Sequence, residues 1–263
     1  MIVVSYLDRF SGIARLYGQP ALETFKNAKI VVVGIGGVGS WVAEALARTG
    51  FEHIRLIDMD DICVTNTNRQ IHTLNSSVGH LKVEAMAARL RLINPDINVS
   101  PVMDFITLDN ITQYLEGMDF VVDAIDSVKV KAAIIAWCNR RKTPMIMTGA
   151  AGGQTDPTRI TVGDLNKTFN DPLARKVRSL LRREYGFSRN EKRNYGIPCV
   201  YSTEQLKYPK PDGTVCQQKQ FTDGTVKLDC SGGLGASTMI TASFGLVAAA
   251  KVAEKLAKKS QGN

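Results

Sequence analysis

The glycine-rich stretch IVVVGIGGVGS, residues 30–40, limits the fold of this chain more than any other feature. Four β-branched residues in succession predict a strand buried on both faces, and the glycines that follow predict a tight turn into a helix over 40–48. Gly34, Gly36 and Gly39 occupy the fingerprint positions for the turn, for backbone approach to a phosphate and for close helix packing. Because the N–H groups that begin a helix lack partners within it, this turn predicts a nucleotide site.

The sequence around this motif strengthens the prediction, since a glycine fingerprint alone also occurs where glycines serve only turns or packing. A second strand is predicted over 53–57, and Asp58 follows it near the position where an acidic side chain reaches a ribose hydroxyl. Gly50 lies just past the intervening helix, where helices commonly end. We therefore predict an α/β, Rossmann-like fold with a mostly parallel sheet and helices on both faces.

The next part of the chain continues the alternation of strands and helices. A buried strand over 120–125 places Asp126 at its carboxyl end, and Ser127 is positioned to cap the helix that follows. Ligands of open α/β sheets bind over these carboxyl ends, so Asp126 is a candidate for the site. The other predicted elements here are strands over 97–102 and 144–148 and helices over 81–93 and 128–140.

The composition favours a protein of a reducing compartment with a polyanionic partner. The formal charge of +8 and the isoelectric point near 9.3 are typical of chains that bind a polyanion such as RNA. The five cysteines are odd in number, widely spaced and without a CxxC pair, which disfavours a disulfide framework or a zinc site. No signal-segment pattern stands at the N-terminus, so we expect a cytoplasmic protein. The uncharged stretch 232–250 is rich in Gly, Ala, Ser and Thr, which favours a buried helix over a membrane span.

Residues 171–196 form a basic segment in which eight arginines and lysines outweigh three acidic residues. Leucines and a valine at helical spacing give this segment an apolar face beneath the charge. A polyanion-binding surface and a solvated surface helix both remain open from this pattern. The candidate RNA-binding side chains are Arg175, Arg178, Arg182 and Arg183.

Polar side chains elsewhere fit a triphosphate better than a dinucleotide. Asn66, Arg69 and Gln70 lie on the loop after the predicted ribose-binding acid. Lys82 begins the next helix, and Asp126 follows a later strand. Arginine and lysine neutralise phosphate oxygens and the charge on a leaving pyrophosphate, while a carboxylate suits Mg²⁺. No GxxxxGK loop occurs, which excludes P-loop chemistry.

The motifs GIGGVGS, LIDMDD, NTNRQ, VGHLK and DAIDS, in this order, resemble the adenylylating ThiF/MoeB superfamily, to which ubiquitin-activating enzymes also belong. The resemblance implies one ATP-binding domain over 1–263, with a nucleotide-binding half over 1–150 and a substrate half over 151–263 that carries the basic segment and a crossover-type loop. It also implies ATP and Mg²⁺, activation of a carboxylate as an acyl adenylate, and a homodimer. The implied nucleotide-binding residues are Gly34, Gly36, Gly37, Gly39, Asp58, Asp60, Asn66, Arg69, Gln70 and Lys82. The implied catalytic residues are Arg69, Lys82 and the metal-binding Asp126, with Cys230 as a further candidate.

Longer segments extend the resemblance over nearly the whole chain. RLYG, IDMDDICVTNTNRQIH, DAIDSVKVKAA and LDCSGGLGASTM are similar to segments of the bacterial tRNA threonylcarbamoyladenosine dehydratases. That family implies ATP-dependent adenylylation of the threonyl carboxylate of the modified adenosine beside the anticodon. The neighbouring ureido group then attacks, which releases AMP and closes a five-membered ring with net loss of water. The implied partner is tRNA that carries threonylcarbamoyladenosine.

Some positions depart from the superfamily pattern. Gly12 stands where the superfamily has an aromatic–Ser–Arg segment whose arginine reaches the partner subunit's ATP, and Arg9 and Arg15 are both candidates to replace it. Cys230 stands where many relatives have a cysteine that captures an activated carboxyl group, although intramolecular ring closure needs no such nucleophile. The zinc-binding CxxC pairs of the broader superfamily are absent. The histidines have no metal-site spacing and are interpreted as surface or loop residues: His53, His72 and His80.

Other functions remain open from the sequence. Adenylylation of a small carrier protein for sulfur transfer would use Cys230 to form a thioester or persulfide, with a cysteine desulfurase as partner. An NAD-dependent oxidoreductase fits the glycine fingerprint but leaves Arg69, Lys82 and Asp126 unexplained. A noncatalytic RNA-binding protein would hold ATP as a structural ligand.

Overall fold

The computed structural model describes residues 4–217, 234–260 and 262. The α-helices of this part of the chain are α1 Tyr6–Tyr17, α2 Gln19–Asn27, α3 Gly39–Arg48, α4 Lys82–Ile93, α5 Ile111–Leu115, α6 Val128–Arg141, α7 Pro172–Glu184 and α8 Thr238–Ser260. Its strands are β1 Lys29–Val33, β2 His53–Ile57, β3 Asn98–Val102, β4 Phe120–Asp123, β5 Met145–Thr148, β6 Ile160–Asp164, β7 Pro198–Ser202, β8 Tyr208–Pro209 and β9 Val215–Cys216. Short 3₁₀ turns lie at Val64–Asn66, Pro157–Arg159 and Leu165–Lys167.

Seven strands form one sheet in the order β3-β2-β1-β4-β5-β7-β6. Neighbouring strands are parallel except β6 and β7, which are antiparallel. The chain adds β2 and β3 on one side of β1 and then crosses to its other side for β4, so the strand order switches direction there. Ligands of such sheets bind at the carboxyl ends beside this switch point, and the glycine-rich turn follows β1 there. The predicted Rossmann-like, mostly parallel sheet is confirmed.

Apolar side chains cover both faces of the sheet. Along β1, Ile30 and Val32 belong to one cluster of buried side chains, whereas Val31 and Val33 belong to another. The first cluster includes residues of α2, α3, α4 and α8, and the second includes residues of α5, α6 and α7. Because successive strand residues point to opposite faces, burial of both faces explains why β1 is apolar at consecutive positions. The predicted helices on both faces are confirmed.

The element bounds follow the sequence prediction closely except after β4. The strand predicted over 120–125 ends at Asp123, because the chain turns there and the Ile125 N–H donates to Asp123 Oδ1 at 3.3 Å. Ser127 stands at the N-cap of α6 as predicted, but its side chain makes no capping hydrogen bond. Ser127 is exposed, so water can satisfy the first N–H groups of this helix instead.

The long uncharged stretch near the C-terminus forms the first half of α8, so the predicted buried helix is confirmed from Thr238 onward. An added Cβ at Gly245 would lie 2.7 Å from Trp41 Cβ, which shows how closely α8 approaches α3. Among the described residues, no helix combines the length and apolar character needed to cross a bilayer. Cys230, with the crossover-type loop predicted around it, lies outside the described residues.

Candidate nucleotide-binding and active site

The glycine-rich turn after β1 leaves open space at one position. Gly34 has a φ of 87°, and a Cβ on Gly39 would lie 1.7 Å from the Gly34 carbonyl oxygen. A Cβ on Gly37 would lie 3.2 Å from a methyl carbon of α8. At Gly36 the nearest atom to an added Cβ is Gln70 Nε2, at 3.9 Å. Gly36 is therefore the glycine that leaves room for a ligand, at the position predicted to approach phosphate.

The start of α3 keeps unused N–H groups beside this space. No side chain caps α3, and the N–H groups of Gly36, Gly37 and Val38 donate to no acceptor within the described residues. The Ile35 N–H donates to Asp58 Oδ2 at 2.6 Å. Because unpaired N–H groups at a helix start attract anions, this turn is suited to hold phosphate oxygens.

The Asp58 carboxylate connects the end of β2 to the glycine-rich turn. Besides the Ile35 N–H, it accepts the Asp60 N–H at 2.9 Å from Oδ1. The residue is partly exposed, and each carboxylate oxygen can accept a further hydrogen bond. Asp58 thus lies at the edge predicted for ribose contact, and backbone N–H groups fix its orientation.

Lys82 and Asp60 form an ion pair at the same edge of the sheet. Lys82 Nζ lies 2.6 Å from Asp60 Oδ2, and the Lys82 N–H donates to the Asp60 carbonyl oxygen at 3.0 Å. The lysine side chain is buried, whereas the aspartate is exposed. The pair fixes a largely buried ammonium group at the carboxyl end of the strands.

The loop after β2 carries the predicted residues Asn66 and Arg69. The Asn66 side chain is buried, and its Oδ1 accepts the Cys63 N–H at 3.1 Å, so it shapes the loop. Arg69 Nη1 donates to the Thr65 carbonyl oxygen at 2.8 Å, and the Trp41 indole N–H donates to the Arg69 carbonyl oxygen at 3.1 Å. No carboxylate in the described part of the chain pairs with the Arg69 guanidinium. Its positive charge is therefore available to a phosphate.

Gln70 and His72, on the same loop, are buried with unpaired polar atoms. Gln70 Oε1 and both ring nitrogens of His72 have no hydrogen-bond partner within the described residues. Burial, with the charges of Lys82 and Arg89, lowers the pKa of His72 to about 4, so its ring is neutral at physiological pH. His72 lies in a loop, which is one of the two placements expected for it, but it is buried and not on the surface. The Ser77 hydroxyl donates to the His72 carbonyl oxygen at 2.6 Å, which ties this part of the loop together.

Asp126 follows the turn that connects β4 to α6. The Ala124 N–H donates to the Val33 carbonyl oxygen at 2.9 Å. A Cβ on Gly34 would lie 3.1 Å from the Ala124 carbonyl group, so this turn packs directly on the glycine-rich turn. Asp126 is exposed, and no hydrogen bond or ion pair holds its carboxylate within the described residues. The carboxylate is therefore available to a cation.

A buried ion pair beneath this turn was not predicted from the sequence. Asp123 and Lys131 are both 0% exposed, and Lys131 Nζ lies 2.8 Å from Asp123 Oδ1. Burial raises the pKa of Asp123, and Lys131 opposes that shift. The available signal was a lysine in the first turns of the predicted helix, eight residues after the strand-end aspartate.

Comparison with known proteins identifies the family. A sequence model of the ThiF family matches residues 10–262. The chain belongs to the ThiF family. The tRNA threonylcarbamoyladenosine dehydratase of Escherichia coli (strain K12) is 55% identical over 262 residues, which are 98% of this chain and 98% of the relative. The protein of the same name from Haemophilus influenzae (strain ATCC 51907 / DSM 11121 / KW20 / Rd) is 50% identical over 259 residues, which are 97% of this chain and 95% of the relative.

A solved structure agrees with this ThiF-family assignment. The crystal structure of Escherichia coli tRNA N6-threonylcarbamoyladenosine dehydratase in complex with ATP matches the chain with a TM-score of 0.87 and 51% identity. The match covers 100% of both chains. The resemblance to the ThiF/MoeB superfamily, and within it to the dehydratases, is therefore confirmed.

The predicted RNA-binding arginines of this ThiF-family protein do not form one free cluster. Arg178 donates to a carbonyl and a hydroxyl oxygen of the 165–168 segment, and Arg182 Nε donates to the Tyr195 hydroxyl at 3.0 Å. Arg175 and Arg183 are exposed. The first two side chains therefore attach α7 to the loops around it, while the last two face solvent.

Arg9 and Arg15, the two candidates for the missing superfamily arginine, differ in their bonding. Arg9 Nη1 donates to the Ile93 carbonyl oxygen at 3.1 Å. Ile93 ends α4 and Lys82 begins it, so Arg9 lies roughly 16 Å along the helix from the nucleotide edge, at 1.5 Å per residue. Arg15, in the last turn of α1, is exposed and makes no hydrogen bond or ion pair within the described residues.

Proposed function

We propose that this ThiF-family chain catalyses the ATP-dependent dehydration of threonylcarbamoyladenosine, next to the anticodon of tRNA, to its cyclic form. The observation that carries the proposal is the 55% identity to a dehydratase of that name over 98% of both chains. The described part of the chain agrees with this reaction: Asp58 bonds to the glycine-rich turn, Lys82 pairs with Asp60, and the turn before Asp126 packs on the glycine-rich turn.

The reaction consists of two displacements. In the first, an oxygen of the threonyl carboxylate attacks the α-phosphorus of ATP, and the bond from that phosphorus to the bridging oxygen breaks. This step gives the acyl adenylate and pyrophosphate. In the second, the ureido group attacks the acyl carbon and loses a proton, while the carbon–oxygen bond to AMP breaks and the ring closes. The oxygen removed from the nucleoside leaves in AMP, so the tRNA loses one water.

The protein contributes orientation and charge neutralisation to these displacements. The N–H groups of the glycine-rich turn bind phosphate oxygens, and Asp58 binds the ribose. Arg69 and Lys82 neutralise the charge that develops on the leaving pyrophosphate. Lys82 reaches phosphate by exchanging its Asp60 partner for a phosphate oxygen.

Mg²⁺ fits this site through Asp126. The ion usually binds one or two carboxylates together with phosphate oxygens and waters, rather than a cage of protein ligands. The described residues contain no group of three or more His, Cys, Asp or Glu side chains that could hold a metal alone, whereas Asp126 offers an exposed carboxylate. Asp126 would hold the ion, and the ion would neutralise phosphate charge.

The charge of the surface around α7 supports tRNA as the partner. Arg178 and Arg182 are already bonded within the protein, so we assign tRNA contact to the exposed cations of this surface. Phosphate contact by several cations makes binding weaken steeply as salt rises. The exposed cations are Arg175, Lys176, Arg183, Arg189, Lys192 and Arg193, against the exposed acids Glu184 and Glu191.

A homodimer follows from the superfamily resemblance. Gly12 has no side chain to extend to the partner subunit's ATP, and Arg9 is held at the end of α4. Arg15 is exposed and unbonded within the described residues, so we assign it the role of the superfamily arginine.

One incubation tests the proposed reaction. The purified protein is mixed with ATP, Mg²⁺ and tRNA that carries threonylcarbamoyladenosine, and the released nucleosides are weighed by mass spectrometry. We expect a nucleoside lighter by one water and one AMP for each ring formed, with both products formed far more slowly by Lys82→Met.

An unchanged nucleoside mass from a folded, ATP-binding protein would reject the proposed reaction. The substrate would then be sought among small carrier proteins with a C-terminal carboxylate, the alternative with a cysteine desulfurase partner. Cys230→Ala separates the two reactions, because it should abolish carrier loading through a thioester and leave intramolecular ring closure intact.

A further inference from the structure

Lys131 binds two different oxygens of one residue behind the proposed active site. Its Nζ lies 2.8 Å from Asp123 Oδ1 and donates to the Asp123 carbonyl oxygen at 3.2 Å. Asp123 is the last residue of β4, and Lys131 lies in the first turns of α6. The ammonium group therefore fixes both the backbone and the carboxylate at the end of this strand.

The same two residues hold the turn that carries Asp126. Asp123 Oδ1 also accepts the Ile125 N–H at 3.3 Å, one residue before Asp126. The Lys131 N–H donates to the Ser127 carbonyl oxygen at 2.9 Å, one residue after it. Lys131 is therefore linked to the turn on both sides of Asp126. Its side chain is linked through Asp123 to the residue before Asp126, and its backbone N–H bonds to the residue after it.

Stability alone is a weak reason for this arrangement. Moving two charges out of water is unfavourable, and well-packed apolar side chains in place of a buried ion pair are often equally stable. Asp123 Oδ2 has no hydrogen-bond partner within the described residues, and a buried acceptor without a partner lowers stability further. A buried pair of this kind, directly beneath a candidate metal ligand, resembles the supporting groups that orient metal ligands in proteins.

We propose that Lys131 is a positioning residue, which acts through Asp123 to fix the 124–127 turn so that the Asp126 carboxylate meets the Mg²⁺ of bound ATP. Both side chains of the pair are fully buried, so they act through the turn and not on the substrate. This inference rests on the proposed assignment of Mg²⁺ to Asp126.

Calorimetric titration with the nonhydrolysable ATP analogue AMPPCP, with and without Mg²⁺, tests this role. Lys131→Met should weaken binding about 10- to 100-fold when Mg²⁺ is present, the range typical of lost support for a metal ligand, and leave binding without Mg²⁺ nearly unchanged. Lys131→Arg should restore part of the Mg²⁺-dependent affinity, because it keeps the positive charge and the donors but is larger than the buried lysine.

A double variant covers the case in which Lys131→Met alone fails to fold because it leaves Asp123 buried without its partner. Asp123→Val with Lys131→Met removes both charges and should fold, but should bind AMPPCP with the same Mg²⁺-specific loss. Mg²⁺-dependent binding equal to that of the unaltered protein would overturn the inference and leave the pair a structural element.

Asp126→Asn separates this inference from the metal assignment beneath it. If Asp126→Asn lowers the Mg²⁺-dependent affinity and the double variant does not, only the positioning role fails. If Asp126→Asn also leaves that affinity unchanged, the metal assignment fails, and the positioning role fails with it. Loss in both variants, with recovery in Lys131→Arg, supports both.

Discussion

The Lys82 ammonium lies 2.6 Å from the Asp60 carboxylate, yet the lysine side chain is 8% exposed and the aspartate side chain 54% exposed. This asymmetry predicts that Lys82→Met affects catalysis more than stability. The aspartate left behind is solvated, so the free energy of unfolding should change by less than about 1 kcal/mol. Loss of the charge that we assign to the leaving pyrophosphate should slow AMP formation roughly 100- to 1000-fold. Urea unfolding and AMP formation at saturating ATP measure the two effects.

Asp60→Asn is the matched control, because it removes the same ion pair and keeps the lysine. We expect it to slow AMP formation less than about tenfold, because Lys82 is proposed to exchange Asp60 for a phosphate oxygen when ATP binds. Equal losses in the Asp60 and Lys82 variants would contradict the assignment of Lys82 to the phosphates.

Gly36 and Gly39 should separate ligand binding from folding. A Cβ on Gly39 would lie 1.7 Å from a backbone oxygen, whereas a Cβ on Gly36 has no neighbour closer than 3.9 Å. Gly39→Ala should therefore lower the free energy of unfolding by about 1–3 kcal/mol or more. Gly36→Ala should change it by less than about 0.5 kcal/mol. The Gly36→Ala methyl group should nevertheless weaken ATP binding roughly tenfold or more, because it would occupy the space that we assign to phosphate. Thermal unfolding measures the stability of the two variants, and calorimetric titration measures their affinity for ATP. Unaltered ATP affinity in Gly36→Ala would contradict the assignment of phosphate to this turn.

The periodic parts of the fold could be predicted from the sequence because local spacing determines them. Consecutive apolar residues in β1 predict burial on both faces, and the glycines that follow predict the turn into α3. Asp58 and Asp126 could be placed at one edge because both follow strands, and parallel strands bring their carboxyl ends together.

Contacts between distant segments could not be read from the sequence. Arg182 and Arg183 are adjacent residues of the same type, but only the fold shows that Arg182 donates to Tyr195. His72 is buried although it lies on an irregular, polar loop. Such contacts depend on loop paths, which hydrophobic periodicity does not encode.

Burial of His72 predicts a pH-dependent loss of stability. Its pKa is about 4 in the folded protein, against an ordinary value of 6.5, so between these values the unfolded chain binds more protons. The neutral His72 ring therefore costs no stability above pH 6.5. As the pH falls from 6.5 towards 4, the free energy of unfolding should decrease by up to about 3 kcal/mol. His72→Leu should flatten the dependence of the unfolding free energy on pH in this window. Urea unfolding between pH 7.5 and 4.5 measures the slope.

His80→Gln controls for the loss of a histidine, because His80 is exposed on the same loop. The difference in slope between the His72 and His80 variants then measures the effect of the buried position. If His72→Leu and the unaltered protein show the same slope, another group is responsible for the pH dependence.

The bonding of the α7 arginines predicts two classes of variant. Arg175→Glu with Arg183→Glu reverses exposed charges, so it should weaken tRNA binding and reduce the slope of log affinity against log salt by about two. Its free energy of unfolding should stay within about 0.5 kcal/mol of the unaltered protein. Filter binding across a salt series, with urea unfolding in parallel, measures both.

Arg182→Glu should lower the stability of the protein, because Arg182 is bonded to Tyr195 and Asn166. We expect a loss of about 1–3 kcal/mol in the free energy of unfolding from broken hydrogen bonds. If the slope of log tRNA affinity against log salt is unchanged in the Arg175 and Arg183 variant, tRNA binds another surface.

Subunit complementation tests the assignment of Arg15 to the partner subunit's ATP. In the proposed homodimer, Arg15→Ala and Lys82→Met should each be nearly inactive. In a mixed dimer, one site combines the defects and the other combines the intact Lys82 of one subunit with the intact Arg15 of its partner. Random exchange makes about half of the dimers mixed, so the mixture should recover about a quarter of the full activity in AMP formation. Arg9→Ala serves as the matched control, because Arg9 is bonded to Ile93 and its loss should leave activity largely intact without mixing. A mixture no more active than its two components would show that Arg15 and Lys82 do not serve one shared site.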